Sequence, residues 1–376
     1  MTTAIEERTG LAGLREDFRP IFEHSAAGAV QREQDRQLPF EQVELLKQSG
    51  FTALRVPAAH GGRGVGLDVF LELLLELATA DSNVAHLLRG HVAHVETLLR
   101  REPDGYRAAW LDRLGAGELV GNAASERGEL TEVTTQLTEI DGKLHVSGEK
   151  YYTTGSIYAD WISLSALQDG ERVNVMVDAR HPGVTVHDDW DGFGQQLTGS
   201  GGLLLEAVPV DPADVTVFAG DDSGFRIGLF QTVLLVVAAG IAQNAVDDAV
   251  AFVKPRRRTF AVAGESSPAT EPVVQTVVGE AAAKAYAAAA IVRQLAARFA
   301  RFDDQVALEV FKAQQVVLRL ATDAATEIFE VGGASATSTS RRLDRHWRNA
   351  RTVASHNPAK YRAAQIGRQL LEGAGA

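Results

Sequence analysis

The chain has 376 residues, 45% hydrophobic and 23% charged, ordinary values for a soluble globular protein and enough length for two or three substructures with sizeable cores. Its 37 lysines and arginines face 49 aspartates and glutamates, a net charge of −12, which argues against nucleic-acid binding and makes any basic site a local one. There is no cysteine, so disulfides, thiol nucleophiles and cysteine-ligated metals are excluded, and a reducing cytoplasmic setting is compatible.

Residues 1–115 read as helical. Phe40, Val43 and Leu46 open an amphipathic pattern, and 67–80 form an apolar helix. Between them, the Gly- and Pro-rich segment 56–64 reads as a loop. Ser82 and Asn83 cap a third helix through residue 100. That helix carries His86, His91 and His94, without the companion ligands that a metal site needs.

Character changes near Gly115. Short β-branched or alternating runs at 132–137, 143–146, 173–177 and 202–208 are separated by turns at Asp141-Gly142, Asp169-Gly170 and His181-Pro182-Gly183. Such spacing predicts an antiparallel β domain over 116–222. From residue 223 the pattern is helical: 225–253, 274–301, 305–330 and a last helix after Asn357-Pro358 make a four-helix bundle. Residues 227–246 are uncharged and long enough to cross a bilayer, but their glycines, glutamines and asparagine favour a buried core helix, and no membrane association is expected.

Helical domain, β domain, then bundle is an α+β order that resembles the acyl-CoA dehydrogenase superfamily. Particular residues carry the likeness. Gly148-Glu149-Lys150-Tyr151-Tyr152-Thr153-Thr154-Gly155 is similar to the superfamily's flavin strand, which implies that the Thr154 hydroxyl meets flavin N5. Residues 119–126 resemble the segment covering the isoalloxazine ring, implying flavin contacts for Asn122 and Ser125 and a catalytic part for Asn122. Residues 191–201 resemble a conserved turn of the family without its arginine. Arg256-Arg257-Arg258 sits where the family reaches a cofactor phosphate, with Arg257 and Arg258 as candidates, and Gly332-Gly333 matches a Gly-Gly after the penultimate helix.

The end of the chain is more specific. Arg345-His346-Trp347-Arg348-Asn349-Ala350-Arg351, followed by His356-Asn357-Pro358, is similar to the class D flavin monooxygenase branch typified by dibenzothiophene and sulfur-acquisition monooxygenases. The resemblance implies a homotetramer taking reduced FMN from a separate NAD(P)H-dependent flavin reductase. It implies oxygenation of a small apolar or heteroatom-bearing substrate with O2 through a C4a-hydroperoxyflavin. It makes His356 and Thr154 catalytic and turns His91 toward substrate. Arg345, Arg348 and Arg351 recur at i, i+3 spacing, which a helical turn aligns either against the flavin, with Arg348 as the cofactor contact, or in pairs with acidic neighbours. Trp190 packs within the β domain or borders flavin and substrate.

The residues bear on the choice of chemistry. A dehydrogenase of this fold needs a carboxylate to take a substrate proton. Between Val331 and Leu371 the only acid is Asp344, and 223–246 contain none. An imidazole able to move a proton near neutral pH suits oxygen chemistry instead. An FAD-containing dehydrogenase-like enzyme or N-hydroxylase, and a non-catalytic scaffold, are the alternatives.

Overall fold

The computed structural model describes residues 10–127, 133–217, 223–257 and 267–372. The chain packs as two compact units. The first comprises residues 1–70, 83–191 and 196–230, and the second 71–82, 192–195 and 231–376.

In the first unit, α1 (Leu11–Asp35) and α2 (Phe40–Gln48) open the fold. Phe18 and Phe22 of α1 meet Phe51 edge-on at 5.2 and 5.6 Å, an aromatic geometry favoured beyond the area it buries. The unit also holds the first turn of α3 (Leu67–Ala80), most of α4 (Ser82–Leu87), α5 (Arg89–Arg100) and α6 (Gly105–Gly115). Asp104 caps α6 by accepting from the Arg107 N–H at 2.7 Å, which satisfies one of its orphan donors.

The strands are β1 (Val120–Ala123), β2 (Gln136–Ile140), β3 (Lys143–Tyr151), β4 (Trp161–Gln168), β5 (Glu171–Asp178), β6 (Val184–Val186), β7 (Gly202–Val210) and β8 (Val215–Val217). They run in the order β6-β7-β3-β2-β4-β5-β8, with β1 also on β4. The antiparallel expectation needs correcting: β1 and β2 both pair with β4 in parallel, so the sheet is mixed. Alternation along a strand reports which face is buried and not the direction of its neighbour. Inward residues such as Val146, Ile162, Leu164, Val175 and Leu205 form one dry core.

Two polar knots hold this unit. Asp160 accepts from Lys47 (2.8 Å), Arg180 (2.6 Å) and the Leu119 N–H (2.8 Å). Glu126 accepts from buried Lys150 at 2.5 Å and from the backbone and hydroxyl groups of Thr134 and Thr135. Burial disfavours that carboxylate, yet these donors together hold it down to about 2.

The second unit holds the rest of α3 and of α7 (Ser223–Val253), with α8 (Pro272–Arg298), α9 (Asp304–Glu327), α10 (Asp344–Ser355) and α11 (Ala359–Glu372). On α7, Gly240 lies against the backbone of Ala78 and Thr79 of α3, where a Cβ would come within 2.6 Å of the Ala78 carbonyl carbon. On α8, Ala281, Ala285 and Ala288 are fully buried, a small-residue stripe that permits close packing against α9. The most apolar window of α7 is 83% buried, in keeping with a core helix. Among the described residues this region has three long helices and two shorter ones, because the 345–351 segment is itself helical.

Element type changes near the expected boundaries at 115/116 and 222/223. Packing divides the chain differently: N-terminal helices and sheet share one unit, and 71–82 pack with the C-terminal helices.

Candidate functional site

In the first unit the polar site is built where β3 ends. Tyr152 takes a left-handed backbone (φ 62°), a sparsely populated conformation for a side chain of this size. The turn after it is laced to the turn before β7. Thr153 Oγ1 donates to the Gly201 carbonyl at 2.9 Å, and the Gly155 N–H donates to the Thr198 carbonyl at 2.9 Å. Gly155 has φ 83° and lies against the Leu87 carbonyl, so no side chain fits there.

This lacing brings three hydroxyls into a chain. Thr154 Oγ1 lies 2.7 Å from Ser200 Oγ, which lies 2.8 Å from Thr198 Oγ1. Thr154 and Ser200 are 6% exposed and Thr198 is sealed. Beside the chain, the Tyr152 ring is 51% exposed and meets Tyr151 and Trp190 edge-on at 4.8 and 6.0 Å. The Arg127 guanidinium stands 3.7 Å over the Tyr151 ring.

The other expected contacts of this unit lie close by in the backbone. Ser125 is exposed and bridges to Tyr151, whose N–H donates to its carbonyl at 2.9 Å. Asn122 on β1 is half-buried, and its carbonyl accepts from Ser156 Oγ at 3.4 Å. Gly90 of α5 lies against Asn122, where an added Cβ would sit 2.7 Å from its Cβ. The fold thus gathers Asn122, Ser125 and Thr154 along β1 and the end of β3, with Trp190 on Tyr152. Buried hydroxyls beside exposed π-surface form a donor and acceptor set that fits the polar edge and flat rings of a flavin.

His91, which the resemblance turned toward substrate, lies in the core. It is 2% exposed, its Nε2 lies 2.9 Å from the Thr52 carbonyl, and its Nδ1 accepts from the Val120 N–H at 3.3 Å. One nitrogen ties α5 to the Thr52 backbone and the other ties it to β1, so this ring serves as a core strut. Burial pushes it down to about 4, the Thr52 carbonyl opposing.

In the second unit the Arg345–Arg351 segment is α10, and most of it serves structure. Arg345 and His346 both reach Asp248 of α7, at 2.5 and 2.9 Å. Burial disfavours the charged Asp248, but the His346 hydrogen bond and Arg345 hold it down to about 2. Burial, with Arg345 alongside, pushes His346 down to about 4. Trp347 stacks on Phe193 at 5.8 Å. Asn349 Oδ1 accepts the Gln195 N–H at 2.6 Å, and a Cβ at Gly194 would strike Thr352 and the Arg348 backbone.

Arg348, expected at the cofactor, donates to Asp344 and to the Phe193 carbonyl, each at 2.8 Å. The bond to Phe193 fastens residues 192–195. Of the two readings that the spacing left open, these bonds are the structural pairs, with acceptors at Asp344 and Phe193 that spacing alone could not choose.

His356 caps the C-terminus of α10 and is exposed, and the next residue is anchored by Asn357 Nδ2 donating to Gln231 at 2.8 Å. Arg257 is exposed, and Arg258 lies outside the described residues. The Arg256 guanidinium lies over the Phe252 ring at 4.6 Å. A Cβ at Gly332 would strike the Phe252 ring, and Gly333 takes φ 51°.

Sequence reasoning assigned no role to Thr198, Ser200 or Tyr152. A Thr-x-Ser spacing 44 residues from Thr154 (198 − 154 = 44) was the available signal, and it gains meaning only once the two turns are laced.

The comparisons with known proteins agree with this architecture. The family descriptions "Acyl-CoA dehydrogenase, N-terminal domain" and "Acyl-CoA dehydrogenase, C-terminal domain" match residues 12–118 and 232–361. A probable FMNH2-dependent monooxygenase, SfnC of Pseudomonas putida, is 27% identical over 94% of this chain and 93% of its own length. The dibenzothiophene monooxygenase of Rhodococcus qingshengii is 28% identical over 94% and 92%. In fold, the FMN-bound TdsC of Paenibacillus sp. A11-2 superposes with TM-score 0.88 at 24% identity, covering 95% of this chain and 96% of its own. The methanesulfinate monooxygenase MsuC of Pseudomonas fluorescens gives 0.86 at 24% identity with the same coverage. With a family match at each end and near-full-length likeness between them, the chain belongs to the acyl-CoA dehydrogenase family, on the branch of the flavin-dependent monooxygenases.

Proposed function

We propose that this enzyme, a flavin-dependent monooxygenase of that branch, works as the oxygenase half of a two-component system. Reduced FMN arrives by diffusion from a separate NAD(P)H-dependent reductase, and a small apolar or heteroatom-bearing substrate is oxygenated with O2. When bound, reduced FMN supplies the electrons that activate dioxygen. The protein acts in the cytoplasm as a homotetramer.

The observation that carries this reading is the state of the carboxylates around the C-terminal segment. Asp344 is bonded to Arg348, Asp248 to Arg345 and His346, and Asp247 to Gln243 at 3.0 Å. Each is engaged, which leaves this stretch poorly equipped for the proton abstraction of a dehydrogenase.

With FMN bound, Thr154 would offer its hydroxyl to flavin N5, Asn122 and Ser125 would border the ring, and Tyr152 and Trp190 would present an apolar face against water. Arg257 and Arg258 take the phosphate through forked hydrogen bonds. His356, exposed on the single chain, would supply an imidazole able to hold or move a proton once FMN is bound.

The test is to load the protein with reduced FMN without air and mix it with O2. A transient absorbance distinct from both reduced and oxidised FMN supports the reading. Direct oxidation with no transient overturns it, and tightly bound flavin with dye reduction driven by acyl-CoA identifies a dehydrogenase. In His356→Ala, FMN binding persists while H2O2 replaces oxygenated product; an unchanged product yield removes His356 from the chemistry.

A further inference from the structure

The Thr154–Ser200–Thr198 chain has a property that a single hydroxyl lacks. Each hydroxyl has one proton to give and lone pairs to receive, and at both links either oxygen can be the donor. Two polarities are therefore open. When protons point from Thr198 through Ser200 to Thr154, Thr154 keeps its own proton for a ligand. When they point the other way, Thr154 gives its proton to Ser200 and Ser200 gives its own to Thr198. Thr198, which has a further partner of its own, turns its proton out of the chain, so Thr154 presents only lone pairs.

Flavin N5 makes the matching pair of demands. Oxidised, it is a bare acceptor; reduced, it carries hydrogen and donates. Resting on the proposed placement of N5 at Thr154, we infer that Ser200 and Thr198 are positioning residues. They form a reversible relay that lets Thr154 donate to the oxidised cofactor and accept from the reduced one.

The lacing of the two turns supports this role. Thr153 and Gly155 are both bonded to the 198–201 segment, so the oxygens are held at hydrogen-bond distance and a switch needs only rotation of hydroxyl protons. All three oxygens sit in nearly sealed surroundings, where a hydroxyl proton with no acceptor is costly.

The two ligand states respond unequally to losing the relay. With reduced FMN, Thr154 must place its proton on Ser200; without Ser200 that proton is stranded or opposes N5–H. With oxidised FMN, Thr154 donates to N5 and loses only one accepted bond, a milder defect since under-satisfied acceptors are better tolerated.

The experiment measures the dissociation constants of oxidised and, anaerobically, reduced FMN for the full-length protein and its variants. Ser200→Ala is expected to weaken reduced FMN by about five- to tenfold, the scale of one stranded buried donor, and oxidised FMN by about twofold or less. Thr198→Val shifts the ratio in the same direction, and Thr198→Ser restores it. In a Thr154→Val background, Ser200→Ala changes neither constant further, which a packing defect would not predict.

Equal weakening of both states, or no change, overturns the relay while leaving the flavin site standing. Failure of the wild-type protein to bind FMN in either state overturns the relay together with the reading on which it rests. Thr198→Val, close in volume to the native residue, carries the test should Ser200→Ala fail to fold.

Discussion

Single atoms decide several features of this protein. Gly155 is needed twice over, for a left-handed backbone and for the room against Leu87. Gly155→Ala is therefore expected to cost about 2 kcal/mol or more, seen as a lowered urea midpoint, and to loosen Thr154 with it. An unchanged midpoint would show that the turn relaxes freely. His94 makes the opposite case. Its Nε2 is buried with no hydrogen-bond partner among the described residues, while its ring packs edge-on to Trp110 at 5.2 Å. His94→Phe keeps the packing and removes the unsatisfied nitrogen, so a melting temperature equal to or above wild type is expected. A fall of several degrees would mean that the imidazole has a favourable role the geometry does not account for. Motif resemblance could single out 154 and 356, because each stands at a fixed offset within a short run. The fates of His91 and Arg348 were not legible, since their partners, Thr52 and Phe193, lie 39 and 155 residues away.

At the scale of elements, α10 shows how a cationic run can be structural. Its first turn joins α7 through Asp248, and its middle clamps residues 192–195 through Asn349, Trp347 and Gly194. Asp248→Ala leaves Arg345 and His346 buried without their shared carboxylate. Breaking such a pair costs about 3–5 kcal/mol when both groups are sealed; with Asp248 about one-third exposed, a loss of about 2 kcal/mol or more is expected. Calorimetry reads it, and a variant as stable as wild type would show the pair to be replaceable. The periodicities of α3, α7, α8 and α9 were readable because each buries a continuous stripe or a whole surface. The parallel pairing of β1 and β2 with β4 was not, because strand direction leaves no trace in a hydrophobic pattern.

For the whole molecule, buried imidazoles set the response to acid. Burial, as the main cause, pushes His91 and His346 down to about 4 and His94 to about 3. These folded values lie below the unfolded one near 6.5, so between them the unfolded chain binds more protons. Their contribution to stability is complete above about pH 6.5 and is lost as pH falls through that point toward 4, at up to roughly 1.4 kcal/mol per pH unit for each histidine. Glu126 and Asp248, held at about 2, add their losses only below about pH 4. Melting temperature should be level from pH 7.5 to 6.5 and fall steeply by pH 4.5, less so in His94→Phe; a flat profile to pH 5 contradicts the burial argument. Sequence by itself determined the helix–sheet–helix order, the exclusion of cysteine chemistry and the scarcity of carboxylates near the C-terminus, because composition, periodicity and short motifs are local properties of a chain. Tertiary structure alone decided which of the candidate polar groups are struts, that the sheet is mixed, and that Thr154, Ser200 and Thr198 meet. Those outcomes depend on partners distant in sequence, and hydrogen bonding at under 3 Å is satisfied only after the chain has folded.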